Sequence, residues 1–146
     1  MHFDQSFWLR VHGGATHFPI VLLFVSVLLD LLAIYGPDKI ARRGLHAAGS
    51  LLASIAVLAS IGAVISGLVI SRWRIMGTGS LLRHHIFVWP AFTIAIGLVV
   101  WRLLMRDRAS SRALLIYVCG MAIASVLTFA AGYWGGEIVL AGELTR

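Results

Sequence analysis

The stretch FPIVLLFVSVLLDLLAIY, residues 18–35, decides the fold. It is apolar almost throughout, with one charged residue, Asp30. As a helix rising about 1.5 Å per residue it is long enough to cross ~30 Å of hydrocarbon. Similar runs follow at residues 45–70, 85–104 and 113–134. Lipid offers no partner to a free backbone N–H or C=O, so runs of this length imply helices.

The connections between the runs are short and basic. Residues 36–44 carry Lys39, Arg42 and Arg43; residues 71–83 carry Arg72, Arg74 and Arg83; residues 105–112 carry Arg106, Arg108 and Arg112. Such short loops join antiparallel neighbours. The expected fold is all-α: one domain, 1–146, forming an integral membrane four-helix bundle that runs up-down-up-down. The first and third loops hold six basic residues, with Arg102 nearby. The opposite side carries Arg10, Arg72, Arg74, Arg83 and Arg146, offset by Asp4, Glu137 and Glu143. The positive-inside rule places loops one and three in the cytoplasm and both termini outside. Residues 1–16 do not read as a secretory signal: Asp4 stands where a basic region belongs, and no small-residue cleavage site follows the first run.

Composition agrees. Of 146 residues 60% are apolar and 12% charged, against about a quarter charged in soluble domains. Four such helices leave no room for a separate soluble domain. The net charge of +6 lies between apolar runs, so it marks topology and headgroup contact, and no nucleic-acid surface is expected. The single cysteine, Cys119, excludes an intrachain disulfide, and the absence of CxxCH excludes covalently attached c-type haem. Cys119 reads as a small packing residue. No nucleophile–base pair, phosphate loop or dinucleotide fingerprint marks the chain as an enzyme on its own. Trp8, Trp73, Trp89, Trp101 and Trp134 fall near expected helix ends, as interfacial anchors do. Small residues crowd the second run from Ala47 to Gly67, where neighbouring helices approach closely.

Histidine carries the chemical signal. The six are His2, His12, His17, His46, His84 and His85. His17 opens the first helix and His84 and His85 the third, so all three share the outer depth. Neighbours on a helix differ by about 100°, so one of His84 and His85 faces the bundle. The fourth helix ends at that level with Gly132, Gly135 and Gly136. Two imidazoles from different helices beside a glycine-rich end suit a b-type haem, with His17 and His85 (or His84) as axial ligands and Trp89 bordering the ring. Interfacial histidines hydrogen-bonded to water are the structural alternative. A bare metal ion suits the pattern less well, because no ExxH or HxxxH spacing occurs. The Gly13-Gly14 pair is expected to break the helix and leave His12 on an outer segment bordering the site. His46 follows the first cytoplasmic loop, on the order of 27 Å from His17. Its candidate roles are a metal or haem ligand, with Met105, Met121 or a partner chain supplying the second donor, or a plain interfacial group. Asp30 is expected to pair with Arg42 or Arg43, and Glu137 with Arg83 or Arg74.

The stretch His12-Gly-Gly-Ala-Thr-His17-Phe-Pro-Ile-Val-Leu-Leu, with Asp30 downstream, resembles the start of the bacterial membrane family called domain of unknown function 2231. Gly67 matches that family's late second-helix glycine, His84 or His85 its third-helix histidine, and Gly132 to Val139 its closing glycine motif. The likeness runs over nearly the whole chain. One departure stands out: many members carry an aspartate shortly after the second-helix glycine, where this chain reads Leu68-Val69-Ile70-Ser71. Relatives joined to, or beside, Rieske-type and c-type cytochrome modules imply respiratory electron transfer by analogy. The expectation is therefore a membrane electron-transfer subunit of the bacterial inner membrane. It would link the quinone pool to c-type cytochrome or Rieske partners through b-type haem. The alternatives are a non-redox anchor or assembly subunit and, last, a transporter.

Overall fold

A computed structural model of the chain describes residues 5–36, 38–105 and 110–140. His2, Asp4, Arg106, Arg108, Glu143 and Arg146 lie outside the described residues. Four helices make up the rest: α1 Gln5–Tyr35, α2 Lys39–Ile70, α3 Gly79–Met105 and α4 Ser111–Leu140. All four are long and apolar enough to cross a membrane, and the described residues contain no strand.

The helices outrun the apolar stretches that announce them. α1 begins at Gln5 rather than 18, α2 at Lys39 rather than 45, α3 at Gly79 rather than 85, and α4 continues to Leu140 rather than 134. Hydropathy marks the part that sits in lipid, whereas a nucleated helix gains a hydrogen bond with each residue added. Gly13 and Gly14 do not interrupt α1. A glycine costs about 1 kcal/mol in a helix interior, and packing against α2 offsets it. Asp38 caps α2, its Oδ1 accepting from the Ile40 N–H at 3.0 Å.

α1 packs chiefly on α2 and α3 chiefly on α4; the two pairs touch each other more sparsely. Leu23, Ala53, Ala56, Ala95, Val99, Tyr117, Val118, Met121 and Ala124 form the shared core. Its alanines let helix backbones approach, and van der Waals packing holds helices together where lipid is as apolar as leucine. Cys119 is exposed instead of packed. Side chains such as Phe18, Leu58, Val126 and Phe129, each more than 60% exposed, turn outward. A belt of this kind belongs against lipid.

One polar cluster sits inside the bundle at the end where α1 finishes. Asp30 is 1% exposed. His46 Nδ1 donates to its Oδ1 at 2.7 Å, and the Arg102 guanidinium lies 3.7 Å from the same oxygen. Arg102 also rests over the Tyr117 ring, 5.1 Å from its centroid. This corrects the expected pairing with Arg42 or Arg43. Arg42 instead donates to the Gly36 carbonyl, because both loop arginines are exposed and Asp30 faces inward. Gly49 makes the seat: a Cβ there would come within 3.1 Å of the Asp30 carboxylate and the Ser26 carbonyl.

Candidate functional site

At the opposite end the two helix pairs part around a cavity of about 560 Å³, within the ~300–1,000 Å³ usual for ligand sites. The N-terminal halves of α1 and α3 and the C-terminal halves of α2 and α4 line it. His12, His17, His84, His85, Trp89, Gly132, Gly135 and Gly136 all reach its wall. The cofactor candidates expected at the outer end thus come together at one place. His46 does not; it lies with Asp30 at the far end.

The four imidazoles are held differently. His12, inside α1 rather than on a surface segment, sends Nδ1 to the Ala63 carbonyl of α2 at 2.9 Å and to Ser66 Oγ at 3.0 Å. Ser66 Oγ itself donates to the Ala63 carbonyl at 2.9 Å. His84 sends Nδ1 to the Ala131 carbonyl of α4 at 2.8 Å. A carbonyl only accepts, so Nδ1 carries the proton in both rings and Nε2 keeps its lone pair. A histidine that ligates a metal is commonly held this way, its other nitrogen donating to a carbonyl or carboxylate. His85 is 6% exposed, and its Nδ1 is buried without a partner among the described residues. His17 is exposed, on the rim.

Trp89 stands 6.1 Å from His85, centroid to centroid, while its Nε1 donates to the Ile75 carbonyl at 2.8 Å and ties α3 to the preceding loop. That loop leaves α2 through Arg72 and Trp73, both left-handed at φ 54° and 61°. Such conformations cost non-glycine residues about 1–3 kcal/mol, here offset by the Trp73 N–H reaching the Leu68 carbonyl at 2.7 Å. Arg83 lies over Trp134, 4.6 Å from the ring centroid. Glu137 forms no ion pair among the described residues, so its expected pairing with Arg83 or Arg74 is absent.

His12 and His84, each fixed through Nδ1, could present Nε2 to a metal-bearing cofactor. Among the described residues no three His, Cys, Asp or Glu side chains cluster to hold a metal, whereas haem iron needs one or two axial nitrogens and apolar surroundings. The roles of the Ala63 and Ala131 carbonyls could not be read from the sequence, because a main-chain carbonyl that orients an imidazole leaves no mark in residue type; Ala63 and Ser66 stood out there only as small residues of the second helix.

Comparison with known proteins adds two findings. The cytochrome c-type biogenesis protein NrfE of Haemophilus influenzae is 27% identical over 146 residues, taking in 94% of this chain and 21% of that protein. The chain therefore spans about a fifth of that relative's length. No solved structure matches. A family model described as "Predicted membrane protein (DUF2231)" matches residues 9–145. With nearly its whole length matched, the chain belongs to the DUF2231 family of membrane proteins.

Proposed function

We propose that this protein is an electron-transfer subunit of the bacterial inner membrane that holds b-type haem in the cavity between its helix pairs. The bundle runs up-down-up-down, with both termini and the histidine end on the outer side and the basic loops in the cytoplasm. One observation carries the proposal: four imidazoles and the glycine-rich end of α4 line a single apolar cavity. Histidine Nε2 atoms would supply the nitrogens that hold the iron, the glycines would leave room for a flat ring, and exposed Arg10, Arg74 and Arg83 at the same end would suit its carboxylates. Bound haem would supply one-electron exchange. The chain's own residues would orient the ligands, with Ala63 and Ala131 fixing two of the imidazoles through their carbonyls. Electrons would pass from the quinone pool to a c-type cytochrome or Rieske-type partner on the outer face. The NrfE relative, named for cytochrome c-type biogenesis, supports a place in haem-related membrane chemistry.

Protein purified from haem-supplied cells is expected to show a Soret band that shifts on dithionite reduction, with a sharp α band. A colourless preparation contradicts the proposal. The second reading is a non-redox anchor within a larger assembly, favoured by the small share of the relative's length that the chain covers. On that reading, alanine at His12, His17, His84 and His85 together leaves assembly intact and removes no absorption band.

A further inference from the structure

We infer that His12 and His84 are the axial ligand pair, one contributed by each helix pair through the same structural device. This rests on the haem proposal above and goes further by excluding His17 and His85.

The device is a histidine, a carbonyl and a glycine. His12 of α1 bonds the Ala63 carbonyl of α2, and Gly67 stands four residues beyond Ala63. His84 of α3 bonds the Ala131 carbonyl of α4, and Gly135 stands four residues beyond Ala131. Within a helix the carbonyl of residue i points toward residue i+4 and already accepts that residue's N–H. Its second lone pair can serve a side chain from a neighbouring helix only if position i+4 leaves space. A Cβ on Gly67 would lie 3.0 Å from His12 Cε1, and one on Gly135 would lie 3.4 Å from His84 Nδ1. Gly67 thus leaves an opening that a Cβ would crowd, while at Gly135 a Cβ would stand in ordinary contact with the His84 ring.

The correspondence continues along the helices. Asp30 follows His12 by eighteen residues, and Arg102 follows His84 by the same eighteen. Eighteen residues make about five full turns, so each histidine shares a helix face with its charged counterpart, ~27 Å away. At the far end the matching positions meet directly, Arg102 to Asp30 at 3.7 Å. At the near end they carry two imidazoles, each fixed to its own helix pair, on the wall of the cavity between the pairs. The α1–α2 and α3–α4 pairs therefore act as two copies of one half-site. A planar group with an axial nitrogen on each face is the ligand that such a pair of half-sites fits.

His17 and His85 lack the device. His17 is exposed, and the buried Nδ1 of His85 has no partner among the described residues. Among the described residues, neither ring has its orientation set by a main-chain acceptor.

The test uses the full chain in lipid nanodiscs, with His12→Ala, His84→Ala, His17→Ala and His85→Leu. His12→Ala and His84→Ala are each expected to convert a six-coordinate low-spin spectrum to a five-coordinate one, and millimolar imidazole to restore it. His17→Ala and His85→Leu keep the low-spin spectrum. Retention of that spectrum in His12→Ala or His84→Ala, or its loss in His17→Ala or His85→Leu, overturns the assignment while leaving haem binding standing. On the haem-free protein, ¹⁵N spectra are expected to show both His12 and His84 as Nδ1–H tautomers. An Nε2–H tautomer in either ring also overturns it. Absence of haem from every preparation defeats the haem proposal and this assignment with it.

Discussion

Removing both His46 and Arg102, as His46→Leu with Arg102→Leu, is expected to destabilise the bundle by about 3–5 kcal/mol, the cost of leaving a buried charge without its partners. Asp30 is 1% exposed, and its Oδ2 already has no partner among the described residues, so none of them is placed to take over. Adding Asp30→Leu to that double variant should recover most of the loss, because an all-apolar cluster contains no uncompensated charge. Unfolding in mixed micelles, followed by tryptophan fluorescence, reads the cycle. Each single variant should cost less than the pair together, since the carboxylate keeps one partner. If the triple variant is no more stable than the double, Asp30 is not the charge that the cluster exists to neutralise. The placement explains why this matters for function. Asp30, His46 and Arg102 lie on three different helices, and Arg102 rests on Tyr117 of the fourth. The cluster fixes the two helix pairs at one end and leaves the other end free to part around the cavity.

Gly67→Leu is expected to lower haem affinity by about 10–100-fold, the loss typical when the group that orients a ligating histidine is removed. A Cβ at position 67 already falls 3.0 Å from the His12 ring, and a leucine side chain drives the ring off the Ala63 carbonyl. Gly62→Leu is the control on the same helix, since nothing lies within 4 Å of a Cβ there. Titration of both variants with hemin in nanodiscs distinguishes a specific seat for His12 from general crowding of α2. Equal affinities for the two variants would show that the glycine has no part in holding the ligand.

The helices were legible because lipid imposes a simple demand, a long apolar run, and residues 18–35, 45–70, 85–104 and 113–134 meet it. The ends were less legible. Helical hydrogen bonding continues through turns such as 5–17, whose polar residues carry no hydropathy signal, and Gly13-Gly14 does not override it. The candidate residues were legible as a set, because depth along a helix can be counted: His17, His84, His85 and the closing glycines do reach one cavity. Which imidazoles are fixed was not legible, since that depends on the carbonyls of Ala63 and Ala131, and every residue has a carbonyl. The partner of Asp30 was missed for a related reason. Arg42 and Arg43 are near in sequence, but inward faces are set by turns of helix, and the eighteen-residue spacing shared by His12–Asp30 and His84–Arg102 was the signal available.

The central claim is that the cavity between the helix pairs binds haem through one imidazole from each pair. Hemin titrated into the haem-free protein in nanodiscs, followed at the Soret band, tests it most directly. The account predicts saturation at one haem per chain with a low-spin, bis-histidine spectrum, and loss of that saturable binding when His12 and His84 are both alanine. Binding that never saturates, or that is unchanged in the double variant, would contradict it.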